Sequence, residues 1–113
     1  MQTATQTDAH TRNVLWNRRI AFIGCGVMAE AIMSTLLRGE QVEAGQITGS
    51  EPLEARRREL SAKYGVRLIA ENRAAVTGAD VVLLTVKPQT LNDVMHDLAG
   101  ALEPGQLVIS IVP

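Results

Sequence analysis

The six residues from Gly24 to Ala29 form the pattern in this sequence that is best suited to chemistry. They read G-x-G-x-x-A and follow directly on the apolar run Ile20-Ala21-Phe22-Ile23. Gly24 allows a tight turn, Gly26 lets a phosphate approach the backbone, and Ala29 is small enough for close packing of a helix on a strand. In this strand–turn–helix context the motif predicts a dinucleotide-binding turn. The alternative is a tight turn that binds no ligand.

The residues after this turn supply donors and an acid for such a ligand. Val27 and Met28 begin the helix, where free N–H groups and the positive end of the helix dipole bind a diphosphate. Glu51 lies at the distance of about 20 residues at which an acid accepts hydrogen bonds from the adenosine ribose, which favours NAD(H). Against this, Ser50 and the Arg56–Arg58 cluster could hold the 2′-phosphate of NADP(H), although such a cluster is more typical of a solvated helix face. Glu51 could also be an acid that only stabilises the start of a helix.

Five short strands and four helices are predicted to position these residues. The apolar runs predict strands at residues 19–24, 46–50, 66–69, 81–86 and 107–112. The intervening segments predict helices at residues 27–38, from Pro52 to about Tyr64, at 72–76 with Asn72 as its cap, and from Pro88 onward. This alternation is typical of an α/β fold, a Rossmann-type doubly wound parallel sheet of order 3-2-1-4-5, truncated after the fifth strand.

Two of these helices are predicted to bury one apolar face each. In the helix from Pro52, the stripe comprises Leu53, Leu60 and Tyr64. In the helix from Pro88, the spacing of the apolar residues predicts a buried stripe of Leu91, Val94, Met95, Leu98 and Leu102.

Length and composition narrow the classes of function. The chain has 113 residues and a net charge of −1, so it has room for one domain and lacks the basic excess that binds nucleic acid or anionic lipid. Its single cysteine, Cys25, allows no internal disulfide, and no Cys or His cluster has the spacing of a metal site. No apolar run is long enough for a membrane span, and a cytoplasmic location is expected. Residues 1–18 are expected to form a disordered tail before a domain at residues 19–113.

Several further segments carry a family resemblance. They are Phe22–Ala31, Tyr64-Gly65-Val66, Ala79–Val82, the specific Val86-Lys87-Pro88-Gln89 after the fourth strand, and Leu107–Ile111. From Ile20 to about Ile111 the chain resembles the N-terminal domain of pyrroline-5-carboxylate reductase.

The resemblance implies a reaction and further site residues. The reaction is hydride transfer from NAD(P)H to the C=N carbon of pyrroline-5-carboxylate, an imine, to give proline. Asn72 and the residues before Pro52 would contact the adenosine half of the cofactor, and Val86, Lys87 and Pro88 would line its nicotinamide end. The family leans to NADPH, whereas Glu51 favours NADH. Family members also have a helical domain that closes the substrate pocket and forms an oligomer, and that domain is expected to be absent here.

Two other functions stay open on the sequence alone. The chain could be the cofactor domain of another imine or carbonyl reductase, or a nucleotide-binding module without catalytic activity. No residue is assigned a catalytic role: His10 lies in the tail, His96 is expected to face solvent, and Cys25 is expected to be a small residue of the turn. The nicotinamide itself carries hydride chemistry, so a reductase needs few catalytic side chains in this domain.

Overall fold

A five-stranded parallel sheet forms the centre of the domain in the computed structural model, which describes residues 14–111. The strands are β1 (Ile20–Ile23), β2 (Ile47–Ser50), β3 (Arg67–Ile69), β4 (Val81–Leu84) and β5 (Leu107–Ser110). All neighbours pair in parallel in the order β3-β2-β1-β4-β5, which confirms the predicted order. Ile23 is in register with Ser50 on one side and with Leu84 on the other, so three strands end at the same level.

Four helices connect the strands. They are α1 (Val27–Arg38), α2 (Glu54–Tyr64), α3 (Asn72–Val76) and α4 (Leu91–Leu98), with short 3-10 turns at Ala44–Gln46 and Pro88–Thr90. α1 agrees with the sequence prediction. α2 begins at Glu54 instead of Pro52, because Leu53 has an extended backbone and donates its N–H to the Glu51 carboxylate. The predicted helix at Pro88 begins as a 3-10 turn and becomes α-helical only at Leu91.

The core lies on both faces of the sheet, and β1 is buried along its whole length. One apolar cluster contains Phe22, Met33 and Leu60; the other contains Ile23 and Leu98. A central strand covered on both sides explains the continuous apolar run in the sequence. None of the helices found between residues 14 and 111 is both long and apolar enough to cross a membrane.

Two residues of the predicted apolar stripes are exposed, and three others, Tyr64, Leu91 and Leu102, are only half-buried. Leu53 is 66% exposed because it lies before α2 begins, where the helical periodicity does not yet apply. Met95 is 41% exposed, whereas Val94 and Leu98 on the same helix are buried. The stripe of α4 is therefore narrower than the sequence predicted.

The two ends of the described chain differ in how they attach to the domain. Residues 14–17 form a turn, and the Gln46 amide donates to the carbonyl oxygens of Leu15 (2.9 Å) and Arg18 (2.8 Å). This short part of the predicted tail is thus attached to the domain, while residues 1–13, including His10, lie outside the described residues. At the other end, all four residues of β5 are exposed. The predicted last residue of that strand, Val112, also lies outside the described residues.

Candidate dinucleotide-binding site

The two glycines of the turn between β1 and α1 have different structural roles. Gly24 has a φ of +87°, and a Cβ added there would lie 2.6 Å from Cγ1 and 3.1 Å from Cα of Val86. Only glycine fits this position without strain. Gly26 has a φ of −89°, and a Cβ added there would meet no atom within 4 Å. Its missing side chain therefore leaves open space beside the turn.

Protein groups hold the carbonyl oxygens of this turn. The Thr85 hydroxyl donates to the Gly24 oxygen at 2.6 Å. Arg56 donates through Nε to the Cys25 oxygen at 2.9 Å and through Nη2 to the Gly26 oxygen at 3.1 Å. The Cys25 N–H donates to Oε1 of Glu51 at 3.2 Å.

The N–H groups at the start of α1 are available to a ligand. No side chain caps this helix at Gly26. The N–H groups of Gly26, Val27 and Met28 have no acceptor among residues 14–111. Three uncompensated donors at the positive end of a helix dipole are suited to an anionic group such as a diphosphate. The open space at Gly26 allows such a group to approach them.

These groups border a cleft of about 510 Å³ at the carboxyl ends of β1, β2 and β4. Seven of the residues predicted from the sequence line it: Gly24, Gly26, Ser50, Glu51, Asn72, Val86 and Lys87. The other four do not: Val27, Met28, Ala29 and Pro88. Val27 is 86% exposed, and Ala29 is fully buried in the packing of α1 against the sheet, which is the structural role predicted for it. The contribution of Val27 and Met28 is therefore their backbone N–H groups.

Glu51 is held in a fixed position at one end of the cleft. It is 8% exposed, and its two oxygens accept the N–H groups of Cys25 (3.2 Å) and Leu53 (3.1 Å). The second contact means that Glu51 also stabilises the start of α2, as the alternative interpretation predicted. Each carboxylate oxygen can accept more than one hydrogen bond, so capacity remains for a ligand hydroxyl.

Ser50 and Asn72 form a polar pair beside Glu51. The Ser50 hydroxyl, which is 1% exposed, donates to the Asn72 amide oxygen at 2.7 Å. Asn72 is the first residue of α3, and Glu71 occupies the cap position, so the prediction of Asn72 as the cap was wrong. The Asn72 amide therefore joins α3 to the end of β2 and does not cap the helix.

The three arginines predicted as one cluster have three different environments. Arg58 has a side chain that is 79% exposed and pairs with Glu54. Arg57 donates to the carbonyl oxygens of Glu51 and Pro52. Arg56 has a side chain that is 20% exposed and lies against the glycine turn. The solvated-face interpretation is therefore correct for Arg58 and wrong for Arg56.

Glu30 is the centre of a charged network that joins α1 to α2. Its carboxylate accepts hydrogen bonds from the Tyr64 hydroxyl (2.7 Å), Arg56 (2.8 Å) and Lys63 (2.9 Å). These contacts, the Tyr64 hydrogen bond above all, lower the pKa of Glu30 from 4.5 to about 2. The carboxylate is thus charged at any physiological pH.

Cys25 is a packing residue of the turn, as the sequence predicted. It is fully buried, and its Sγ lies 3.8 Å from the Phe22 oxygen. Burial, with a smaller effect of the Glu51 charge, raises the pKa of its thiol to about 12 despite the nearby Arg56. A thiol with so high a pKa is a poor nucleophile. His96 is exposed on α4, in agreement with its predicted solvent-facing position.

Sequence reasoning missed about half of the cleft lining. The lining residues outside the predicted site are Cys25, Pro52, Leu53, Ala70, Thr85, Thr90 and Val94, together with Arg56, which the sequence offered only as part of a charged cluster. Thr85 had a usable signal, since it is the single polar residue in the apolar run predicted as a strand at residues 81–86, although it lies just after β4. The position of Arg56 has no local signal, because its contacts lie about 30 residues away along the chain.

Comparison with known proteins identifies the family. Residues 19–113 match the sequence model of the family described as NADP oxidoreductase, coenzyme F420-dependent. The chain belongs to this family. The chain is also 43% identical over 93 residues to a pyrroline-5-carboxylate reductase of Pseudomonas aeruginosa, covering 82% of this chain and 34% of that protein. It is 44% identical over 95 residues to the Vibrio alginolyticus enzyme of the same name, covering 84% and 35%.

The solved structures agree with this family assignment. A pyrroline-5-carboxylate reductase from Coxiella burnetii matches with a TM-score of 0.79 and 31% identity over 84% of this chain and 35% of that one. These findings confirm the resemblance expected from the sequence. The chain spans about a third of the length of these relatives.

Proposed function

We propose that this domain binds a nicotinamide dinucleotide with its diphosphate at the start of α1. The observation that carries the proposal is the set of three N–H groups, at Gly26, Val27 and Met28, without an acceptor among residues 14–111. They lie beside the space that a Cβ at Gly26 would fill. A diphosphate needs both the donors and the room.

The strand order supports an orientation for this ligand. β2 lies on one side of β1 and β4 lies on the other, so the cleft has two arms that meet at the turn. The arm at β2 contains Ser50, Glu51 and Asn72, which suits the hydroxyl-rich adenosine half. The arm at β4 contains Val86 and Lys87, which supports a position for them beside the nicotinamide half. This is the crevice at a topological switch point where open α/β sheets bind ligands.

We further propose that Glu51 favours NAD(H) over NADP(H). Its carboxylate is almost fully buried and is fixed by two backbone donors, so it cannot turn away from a ligand. A 2′-phosphate placed beside it would bring two negative charges together in a partly desolvated cleft. The 2′-hydroxyl of NAD(H) would instead donate a hydrogen bond to it. Arg57, a candidate for a counter-charge, already donates to the carbonyl oxygens of Glu51 and Pro52.

The full-length protein is proposed to be a pyrroline-5-carboxylate reductase. The support is the similarity to enzymes of that name, which covers most of this chain and a third of theirs. When bound, the reduced nicotinamide supplies a hydride to the C=N carbon of pyrroline-5-carboxylate. The residues of this chain hold and orient the cofactor, and the imine must lie about 3–3.5 Å from the reacting carbon of the nicotinamide.

The test is an assay of NAD(P)H oxidation with pyrroline-5-carboxylate by the full-length protein and by its Gly26→Val variant. The variant fills the space beside the turn, and we expect its KM for the cofactor to rise at least tenfold. Gly45→Val is the matched control, because Gly45 also has open space at its Cβ but lies in the 3-10 turn before β2. An unchanged KM in Gly26→Val would contradict the proposed cofactor site. Absence of any pyrroline-5-carboxylate-dependent oxidation by the wild-type protein would contradict the proposed reaction.

The 113-residue chain alone is expected to turn over far more slowly than the full-length protein. The described residues provide the wall of the pocket that holds the cofactor. Positioning of the reactants can lower a reaction barrier by about 7–11 kcal/mol. A substrate that is held from one side alone loses part of this effect and therefore reacts slowly. Equal turnover by both proteins would show that residues 1–113 suffice.

A further inference from the structure

Arg56 makes an unusual set of contacts for a residue on a surface helix. Its guanidinium donates to the carbonyl oxygens of Cys25 and Gly26, at 2.9 and 3.1 Å. It also donates to the carboxylates of Glu30 and Glu59, each at 2.8 Å. One side chain of α2 therefore joins the glycine turn to two acids.

These contacts help to fix where the N–H groups of the turn point, together with the Glu30 N–H, which donates to the Gly26 oxygen at 3.0 Å. In a planar trans peptide, the C=O and the N–H point in opposite directions. The Cys25 oxygen shares its peptide plane with the Gly26 N–H, and the Gly26 oxygen shares its plane with the Val27 N–H. Because Arg56 holds both oxygens, both N–H groups point away from the guanidinium and stay unpaired among residues 14–111.

The preceding peptide is held from both ends as well. The Thr85 hydroxyl holds the Gly24 oxygen, and Glu51 holds the Cys25 N–H of the same plane. Three successive peptide planes of the turn are thus fixed by side chains. Glu51 and Arg56 both come from the segment that follows β2.

The charge of Arg56 is already compensated. Two carboxylates lie at ion-pair distance, and that of Glu30 also accepts from Lys63 and Tyr64. A guanidinium with four acceptors at these distances has little donor capacity left for a phosphate. Direct binding of a cofactor phosphate would require it to give up contacts with the turn or the acids.

We propose that Arg56 is a positioning residue, which orients the Gly26 and Val27 N–H groups toward a bound diphosphate without contacting the cofactor itself. The inference rests on the proposed function and adds the residue that fixes the geometry of the anion site. It assigns to α2 a role in binding at α1.

The experiment compares the affinities of two pairs of ligands in the full-length protein and its variants. ADP contains the diphosphate and adenosine lacks it, while NADPH contains a 2′-phosphate and NADH lacks it. The variants are Arg56→Met, which removes every donor, and Arg56→Lys, which keeps the charge but has one nitrogen for four acceptors. Arg58→Met is the matched control, since Arg58 lies on the same helix and pairs only with Glu54 among the described residues. Calorimetry measures the dinucleotides and ADP, and ligand-observed NMR measures adenosine.

In Arg56→Met we expect ADP to bind about tenfold or more weakly and adenosine to change by less than about twofold. NADH and NADPH should weaken by the same factor, and Arg56→Lys should not restore ADP affinity. Arg58→Met should leave all four affinities unchanged. If Arg56→Met does not fold, the same comparison of ADP with adenosine and of NADH with NADPH is made in Arg56→Lys, with the same expected losses.

Four results would overturn the inference. They are an unchanged ADP affinity, an equal loss for ADP and adenosine, a larger loss for NADPH than for NADH, and full recovery in Arg56→Lys. The third would mean contact with the 2′-phosphate, and the fourth would mean attraction by charge alone. If the wild-type protein binds neither ADP nor a dinucleotide, the proposed function fails and this inference fails with it. Binding by the wild type with no effect in the variants would overturn this inference alone.

Discussion

Replacing each of the two glycines of the turn by alanine should damage the protein in different ways. Gly24 has a left-handed backbone and contacts Val86, whereas Gly26 has an ordinary φ and open space at its Cβ. Gly24→Ala should therefore lower the stability of the fold. Gly26→Ala should leave stability almost unchanged and weaken cofactor binding.

The magnitude for Gly24→Ala has two contributions. A non-glycine residue at a φ of +87° carries backbone strain of about 1–3 kcal/mol. A Cβ 2.6 Å from Cγ1 and 3.1 Å from Cα of Val86 forces the β4–α4 segment to move, and overpacking of this kind costs about 1–3 kcal/mol. Together they lower the free energy of unfolding by about 2–6 kcal/mol, which is a large part of the usual 5–15 kcal/mol. For Gly26→Ala, the change should stay within about 1 kcal/mol, because the backbone conformation suits alanine.

Urea unfolding followed by circular dichroism measures the stability, and calorimetric titration with NADH measures binding. For Gly24→Ala we expect an unfolding midpoint well below that of the wild type at an unchanged m-value. For Gly26→Ala we expect a wild-type midpoint and at least a several-fold weaker affinity. Loss of less than about 1 kcal/mol in Gly24→Ala, or an equal loss in both variants, would refute the assignment of separate roles.

Three further predictions follow from the charges around the cleft. Glu51→Ser should improve NADPH binding relative to NADH binding by about tenfold or more. The measurement is the ratio of the two dissociation constants, and an unchanged ratio would mean that Glu51 has only a structural role. Cys25, whose thiol pKa is raised to about 12, should resist iodoacetamide at pH 8 in the native protein and react when unfolded in urea; native labelling at the unfolded rate would contradict its burial. Because the pKa of Glu30 is lowered to about 2, its contribution to stability should be complete above about pH 4.5 and be lost as the pH falls from there toward 2. Glu30→Gln should remove that part of the acid dependence in thermal melts, and an identical pH profile in both proteins would show that the network does not stabilise the fold.

The parts of the fold that depend on local pattern were predictable from the sequence. The strand order followed from alternating apolar runs and helical segments, and β1, the turn and α1 lie where the motif placed them. The burial of β1 on both faces could be inferred because a continuous apolar run has no polar face to expose.

The parts that depend on contacts between distant segments were not predictable. Periodicity predicted burial of Leu53 and Met95, but the start of α2 is set by a hydrogen bond from Leu53 to Glu51, and the buried face of α4 is narrow. Arg56 looked like a member of a charged run, since nothing in its neighbourhood along the chain indicates that it reaches the Cys25 carbonyl. Asn72 looked like a helix cap because its residue type favours that position, yet its amide pairs with Ser50.

The most direct test of the cofactor site is an amide NMR titration of the ¹⁵N-labelled protein with NADH. We expect the amide resonances of Gly26, Val27 and Met28 to shift first and furthest, because these N–H groups would bind the diphosphate. Smaller shifts should follow at Glu51 and Lys87, at the two ends of the cleft. The proposed cofactor site would be contradicted if saturating NADH left the resonances of these three amides unshifted. It would also be contradicted if only resonances of residues far from the turn between β1 and α1 shifted.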